Sequence, residues 1–301
     1  MEISANETFK SIFEKQAKPL EPIETGTEPV LKKLKEIKCV AFDFYGTMFI
    51  SAVGDIGIDD GKADADIITA ALDNCELTIL DTEAAFMGFD YYDLVVDEHS
   101  KILKNQGYDN PEPDIRHIWT DVLNSLKQKR LIQGTIDEET VSKFAIEFEI
   151  RMNPIWPMPD LLKVITSLKE KKIELAVISN SQFYTPIAFE ALTGNSLSNL
   201  GFNQQLLHWS FEEKLKKPSV SFYEAFLDKI ERSDAKLKPH QILYVGNDML
   251  KDILPAHNMG LKTALFAGDK RSLKWRKENK NCKNLKPDLI ITKLNQILDC
   301  V

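Results

Sequence analysis

Cysteine is sparse in this chain. Cys39, Cys75, Cys282 and Cys300 lie scattered along 301 residues, with no C-x-x-C and no Cys/His cluster. That excludes a disulfide framework and a zinc site and implies reduced thiols. The five histidines show no ligand spacing either, and His257 in "PAHNMG" reads as a helix-end residue. Positive charge is not in excess: 38 Lys and Arg face 46 Asp and Glu, a net charge of −8. A general nucleic-acid binder needs the opposite balance to neutralise phosphates. No apolar run reaches the roughly 18 residues of a membrane span. The opening "MEISANETFK" lacks a basic segment followed by an apolar one, so no secretory signal and a cytoplasmic location are expected. In that setting the sequon Asn6-Glu7-Thr8 has no consequence. No internal repeat is visible, and nothing in the chain speaks to oligomeric state.

What is present is an ordinary globular composition, 43% hydrophobic and 28% charged. The length allows one large or two modest domains with a core that needs no staples. Residues 1–28 are polar and broken by "LEPIETGTEP", a short extension with one helix expected near Phe9 to Gln16. "PVLKKLKEI" reads as a helix with Pro29 in its first turn. "KCVAFDF" then reads as a strand apolar on both faces, as in a buried parallel sheet. From 49 to 158 the pattern is helical: "ADADIITAALDN", "TEAAFMGFDYYDLVVDEHSKILKNQ", "PDIRHIWTDVLNSLKQK" and "DEETVSKFAIEFEIRM" each carry helical apolar spacing. From 159 on, helices alternate with strands "IELAVIS", "LLHWS", "QILYVG", "LKTALFA" and "PDLIIT". The predicted fold is α/β: a doubly wound, mostly parallel, Rossmann-like sheet with an inserted α-helical cap domain. Its core comprises 1–48 and 159–301, and its cap 49–158.

Ligands of open α/β sheets bind at the carboxyl ends of the strands. The first strand ends at Asp43, followed by Tyr45-Gly46-Thr47, and "IELAVIS" ends at Ser179-Asn180. Lys217-Pro218 precedes "SVSFYEAF", and "QILYVG" ends at Gly246-Asn247-Asp248 with Asp252 a turn later. Each piece has a bland reading: an Asx turn, a helix cap, a surface lysine, a strand-to-helix turn. Their order and shared place at one sheet edge make the set specific.

"DFYGT", "VISNS", "KKPSVSFYEAF" and "VGNDMLKD" resemble the four motifs of the haloacid dehalogenase (HAD) superfamily, from about residue 38 to 292. The insertion resembles that superfamily's helical C1 cap. The resemblance implies a hydrolase with an aspartyl-enzyme intermediate. Asp43 would be the nucleophile, and Thr47 and Ser179 would hold substrate oxygens. Lys217 would neutralise charge. Tyr45, Gly46 and Asn180 would face the substrate. A Mg²⁺ ion would be held by Asp43, the carbonyl of Tyr45, Asn247, Asp248 and Asp252, since this hard cation prefers oxygen and keeps waters.

Two positions depart from the superfamily's phosphatases. Tyr45 stands where they carry the acid/base Asp, and Asn247 stands where the fourth motif usually has its first Asp. A Mg²⁺-dependent phosphatase acting on a small anionic metabolite is the favoured expectation. Asp-x-Tyr-Gly-Thr also resembles the 2-haloacid dehalogenases, which need neither metal nor general acid. Against them stand the lack of Arg between Thr47 and Arg116 and the motif Gly246-Asn247-Asp248 in place of Ser-Ser-Asn. A catalytically weak ligand-binding module is the alternative of another class. Other stretches stay open: "SAVGDIGIDDGK" as hinge or surface loop, Gln182 and Tyr184 of "SQFYTPIAF" as site neighbours, and "KRSLKWRKENK" as a solvated loop or an anion-attracting rim. Core packing is expected for "FDYYD".

Overall fold

The structure, a computed structural model, describes residues 2–54 and 65–301. Most of the segment 51–62 singled out above therefore lies outside the described residues. The chain opens with α1 (Glu2–Gln16), β1 (Cys39–Phe42) and β2 (Phe49–Ser51). There follow α2 (Ala65–Asn74), β3 (Thr78–Ile79), α3 (Glu83–Asn105), α4 (Ile115–Gln128), β4 (Ile132–Gln133), α5 (Glu138–Met152) and β5 (Ile155–Pro157). The alternating half holds α6 (Leu161–Glu170), β6 (Glu174–Ser179), α7 (Thr185–Thr193), β7 (Phe202–Trp209), α8 (Ser210–Glu213) and α9 (Val220–Arg232). It ends with β8 (Ile242–Gly246), α10 (Leu254–Asn258), β9 (Lys262–Phe266), β10 (Leu289–Ile291) and α11 (Ile297–Cys300). Among the described residues no helix is long and apolar enough to cross a membrane.

A six-stranded sheet runs in the order β10-β9-β8-β1-β6-β7, and every neighbouring pair is parallel. β1 is central and fully buried, which is why its sequence is a continuous apolar run. From β1 the chain winds outward through β6 and β7, then returns to the other side through β8, β9 and β10. Strand order reverses at β1, so its carboxyl end is the switch point of the sheet.

The helices of the insertion form for legible reasons. Asp114 caps α4 by accepting from the backbone N–H of Arg116 at 2.9 Å, and Asp137 caps α5 through Thr140 at 2.9 Å. α4 buries Ile115, Ile118, Trp119, Val122, Leu123 and Leu126, a single stripe at helical spacing. Trp119 lies edge-on to Phe144 and Phe148 of α5, both at 4.7 Å. The two chain segments that enter and leave this helical region pair as the antiparallel strands β2 and β5, and Met158 donates to the carbonyl of Met48 at 2.9 Å. Three residues per strand are too few to show alternation, so these strands leave no periodic signal.

Two expectations for the N-terminal region need correction. α1 spans Glu2–Gln16, longer than expected, and it packs against both α5 and α7 with Ile12 and Phe13 buried. The helix expected from Pro29 does not form. Val30 instead exchanges backbone hydrogen bonds with Ile290 on β10, and Leu34 donates to Cys300 at 2.8 Å. The edge strand β10 and the end of α11 offered those partners, and this tertiary pairing overrode a good local helical pattern. Residues 17–28 are also tied to the core, where Thr25 donates to Ala267 at 2.8 Å and Lys270 to Ile23 at 2.8 Å.

Candidate active site

Asp43 follows the last residue of β1, and its N–H makes one further sheet bond, to Val245 at 2.9 Å. The chain then folds back, with Phe49 donating to Phe44 at 2.9 Å and Gly46 to Phe49 at 2.7 Å. Gly46 has φ 77°, and a Cβ there would lie 2.4 Å from the Cβ of Ser272 and 2.9 Å from Asn247 Nδ2. Only glycine lets this loop adopt a left-handed turn and pass so close to the end of β8.

The centre of the site is Lys217, 3% exposed. Its Nζ lies 2.7 Å from Asp43 Oδ1 and 2.6 Å from Asp252 Oδ1, and it donates to the Tyr244 hydroxyl at 3.1 Å. That hydroxyl stands 3.0 Å from Asp252 Oδ1 and 2.9 Å from the carbonyl of Ile178. The Lys217 backbone is clamped by Asn180, whose Oδ1 accepts from its N–H at 2.8 Å. Burial pulls the Lys217 ammonium down, but the charges of Asp252 and Asp43 outweigh it, so this lysine stays protonated. Burial pushes the Asp43 carboxyl up, and the charge of Asp252 adds to that; the Lys217 charge opposes both without cancelling them.

Asp252 is fully engaged. Its second oxygen accepts from the backbone N–H groups of Asn247 at 3.0 Å and Asp248 at 2.9 Å. Gly246 makes room for it, since a Cβ there would fall 2.5 Å from the Asp252 side chain. Asp248 caps the turn that follows, accepting from Leu250 at 2.8 Å and Lys251 at 3.2 Å. It also holds Arg276 in a forked pair, with Nη2 2.6 Å and Nε 3.1 Å from Oδ2.

A cavity of about 20 Å³ sits among these groups. Asp43, Tyr45, Asn180, Lys217, Asn247, Asp248 and Asp252 are among the residues that line it. Thr47, Gly46 and Ser179 do not line it. The Thr47 hydroxyl is fully buried and donates to Asn247 Oδ1 at 3.1 Å. Ser179 accepts from the N–H of Phe44 at 3.3 Å, bracing the turn after Asp43. Tyr45 reaches Thr185 with its hydroxyl, at 3.0 Å.

A second cavity, about 320 Å³, adjoins the first and shares Asn180, Lys217 and Lys251 with it. Its far wall comes from α3, α4 and α5: Val96, Ile118, Trp119, Ala145 and Phe148. Gln182 and Tyr184 line it too. So does Tyr92 of "FDYYD", which packs 4.9 Å from Trp119 while facing the cavity, a role beyond the core packing expected.

A model of the haloacid dehalogenase-like hydrolase family matches residues 77–266. The chain belongs to this family. The match begins beyond the Asp43 loop, so it rests on the helical region and the later strands. Among solved structures, a 2-haloacid dehalogenase of Pseudomonas syringae pv. Tomato DC3000 aligns with a TM-score of 0.51 at 16% identity, covering 88% of this chain and 97% of that one. A predicted phosphoglycolate phosphatase of Haemophilus somnus 129pt aligns at 19% identity and TM-score 0.46, covering 88% and 98%. A magnesium-bound HAD hydrolase of Bacillus subtilis aligns at 14% identity and TM-score 0.46, with the same coverage. Identities this low report the shared fold and not the substrate. No curated protein matches the chain.

As a haloacid dehalogenase-like hydrolase, the chain raises the question of magnesium. All five residues expected to hold it line the small cavity. Their donor atoms, however, are committed elsewhere: Asp43 and Asp252 to Lys217, and Asp248 to Arg276 and the backbone. Asn247 accepts from Thr47 and donates to the carbonyl of Ser272 at 2.8 Å. Among the described residues no three His, Cys, Asp or Glu side chains are placed to hold an ion. This arrangement does not fit a divalent cation, which wants several free oxygen ligands. Arg276 and Tyr244 were not singled out from sequence. The signals were faint: an arginine inside a basic run, and a tyrosine in an otherwise apolar strand, where a buried hydroxyl requires a partner.

Proposed function

We propose that this haloacid dehalogenase-like hydrolase acts on a small anionic organic substrate through an ester on Asp43, with Lys217 as the cation of the reaction. The observation that carries the reading is Lys217 between Asp43 and Asp252, at 2.7 Å and 2.6 Å. An ion pair held this way favours the charged form of a buried nucleophilic carboxylate and opposes the burial that raises it, without help from a metal. The Asp43 carboxylate attacks the substrate carbon, a carbon–oxygen bond forms, and the leaving group departs with its electron pair. Water then attacks the ester at the Asp43 carboxyl carbon, giving back the carboxylate with an alcohol and a proton. Tyr45 in the usual acid position favours a leaving group that needs no proton, such as a halide. The apolar wall of the larger cavity suits a carbon skeleton, while Lys251 and Lys274 beside the small cavity favour an anion. The segment 49–158 would serve as the cap, joined to the core by the paired strands β2 and β5. A cytoplasmic setting goes with the four free, buried thiols.

A second reading, the magnesium-dependent phosphatase, is favoured by one observation: Asp43, Tyr45, Asn247, Asp248 and Asp252 all border one ion-sized space. Assays on 2-haloacids and aryl phosphates, each in EDTA and in Mg²⁺, separate the two. The first reading expects turnover in EDTA, with a substrate-derived mass on Asp43 in quenched samples. Hydrolysis of phosphates alone, and only with Mg²⁺, would overturn it.

A further inference from the structure

We infer that Arg276 is the resident counter-cation of this site: it takes the Asp248 carboxylate that a divalent ion would need, and so keeps the small cavity closed to metal. This rests on the reading that Lys217 is the cation of the reaction. It assigns a purpose to Arg276 of the basic stretch after β9, which the hydrolytic chemistry leaves unexplained.

β8 ends at Gly246, and the basic loop is strapped alongside that end by two backbone bonds. Lys274 donates to the carbonyl of Asn247 at 2.9 Å, and Met249 donates to the carbonyl of Lys274 at 2.9 Å. These straps put Arg276 beside Asp248, where Nε lies 3.1 Å from both carboxylate oxygens and Nη2 2.6 Å from Oδ2. Arg276 itself has φ 51°, a left-handed conformation that side chains other than those of Gly, Asn and Asp seldom adopt. The straps and the forked ion pair hold it there.

Charge balance then explains the arrangement. Three carboxylates, Asp43, Asp248 and Asp252, border a space of about 20 Å³, room for one water-sized guest. Lys217 compensates two of them and Arg276 the third. A guanidinium is charged at every accessible pH, and its planar fork matches a carboxylate. A divalent ion entering beside it meets a neutralised Asp248 and a fixed positive neighbour. With the guanidinium removed, Asp248 becomes an uncompensated carboxylate beside Asp43 and Asn247 around the same space. The stretch that resembles a metal motif would then be able to act as one.

The test is Mn²⁺ binding to the full chain, read as loss of the free-ion electron paramagnetic resonance signal, with no substrate present. Wild type, Arg276→Gln, Arg276→Ala, Arg276→Lys and the double variant Arg276→Gln/Asp248→Asn are compared, and circular dichroism confirms that each is folded. The expected result is binding at least about tenfold tighter in Arg276→Gln and Arg276→Ala than in wild type. Arg276→Lys, which keeps a cation, should stay like wild type, and the double variant should lose the gain. If Arg276→Gln and Arg276→Ala bind Mn²⁺ as weakly as wild type, the inference about Arg276 falls and the Lys217 reading stands. If wild type binds as tightly as the variants, both fall.

Discussion

The two walls of the cleft are built on opposite principles. On the sheet side, the polar groups are already spoken for: Lys217 by two carboxylates, Asp252 by a lysine and two backbone N–H groups, Asp248 by an arginine. On the helical side, the wall is mostly apolar, Val96, Ile118, Trp119, Ala145 and Phe148, which offers shape and desolvation, and the Glu149 carboxylate among them accepts from Tyr184 at 3.0 Å and Asn153 at 3.1 Å. A buried charge must be compensated, so reactive groups belong on strand ends and short turns whose backbone is fixed by the sheet. An apolar wall asks only for volume, which an amphipathic helix supplies from either of several faces. Under the proposed reaction, the difference assigns chemistry to the rigid edge and substrate choice to the helices.

Three experiments would break or sharpen this contrast. The largest effect should follow Asp43→Asn, which removes the proposed nucleophile while keeping shape. Turnover should fall on the order of 10⁴-fold or more in a steady-state assay, with no shifted peptide mass on residue 43. In the wild type, burial raises the Asp43 carboxyl from its ordinary 3.8 to about 7. Only the ionised form attacks, so kcat/KM should climb about tenfold per pH unit below that value and level off above it. Stability runs the other way. A carboxyl whose folded pKa is raised favours the folded state at low pH, and that contribution is lost as pH rises from about 4 toward about 7.

Next comes Lys217→Met, the change that separates charge compensation from packing. It leaves Asp43 and Asp252 facing each other without their cation. Urea unfolding near pH 8 should show a loss of about 3–5 kcal/mol together with loss of activity. The loss should shrink at pH 5, where one carboxyl takes up a proton. Equal losses at both pH values would mean that Lys217 contributes by packing alone.

The smallest effect should come from the helical wall. Ala145 lies on α5 and borders the larger cavity. Ala145→Leu narrows that space at about 1–3 kcal/mol of strain or less. It should raise KM for bulky substrates while kcat for the smallest changes only a few-fold. A collapse of kcat on every substrate would place chemistry on the helical side and end the contrast.

Much of the sheet edge was legible beforehand. Asp43, Lys217, Asn180 and the 247–252 turn stand at strand ends in fixed order, and the structure brings them around one cavity. What the sequence does not carry is the partners of these groups. Thr47 and Ser179 look like substrate-facing hydroxyls, yet Thr47 holds Asn247 and Ser179 braces Phe44. Asp248 looks like a metal ligand, yet Arg276 reaches it from 28 residues away in sequence. Residues 29–37 look helical, yet Val30 bonds to β10 and Leu34 to Cys300, partners that no local pattern records.

Local physics was enough for the sheet strands and the amphipathic helices of 65–152. A parallel strand buried on both faces must be apolar throughout, an amphipathic helix must repeat every three to four residues, and Gly46 must be glycine to turn beside Ser272. Those demands act on neighbours in the chain and are written there. The pairing of charges was decided only by the tertiary fold. Whether Asp248 meets a guanidinium or an open space depends on where a loop from beyond β9 is strapped, and no rule of local sequence contains that distance.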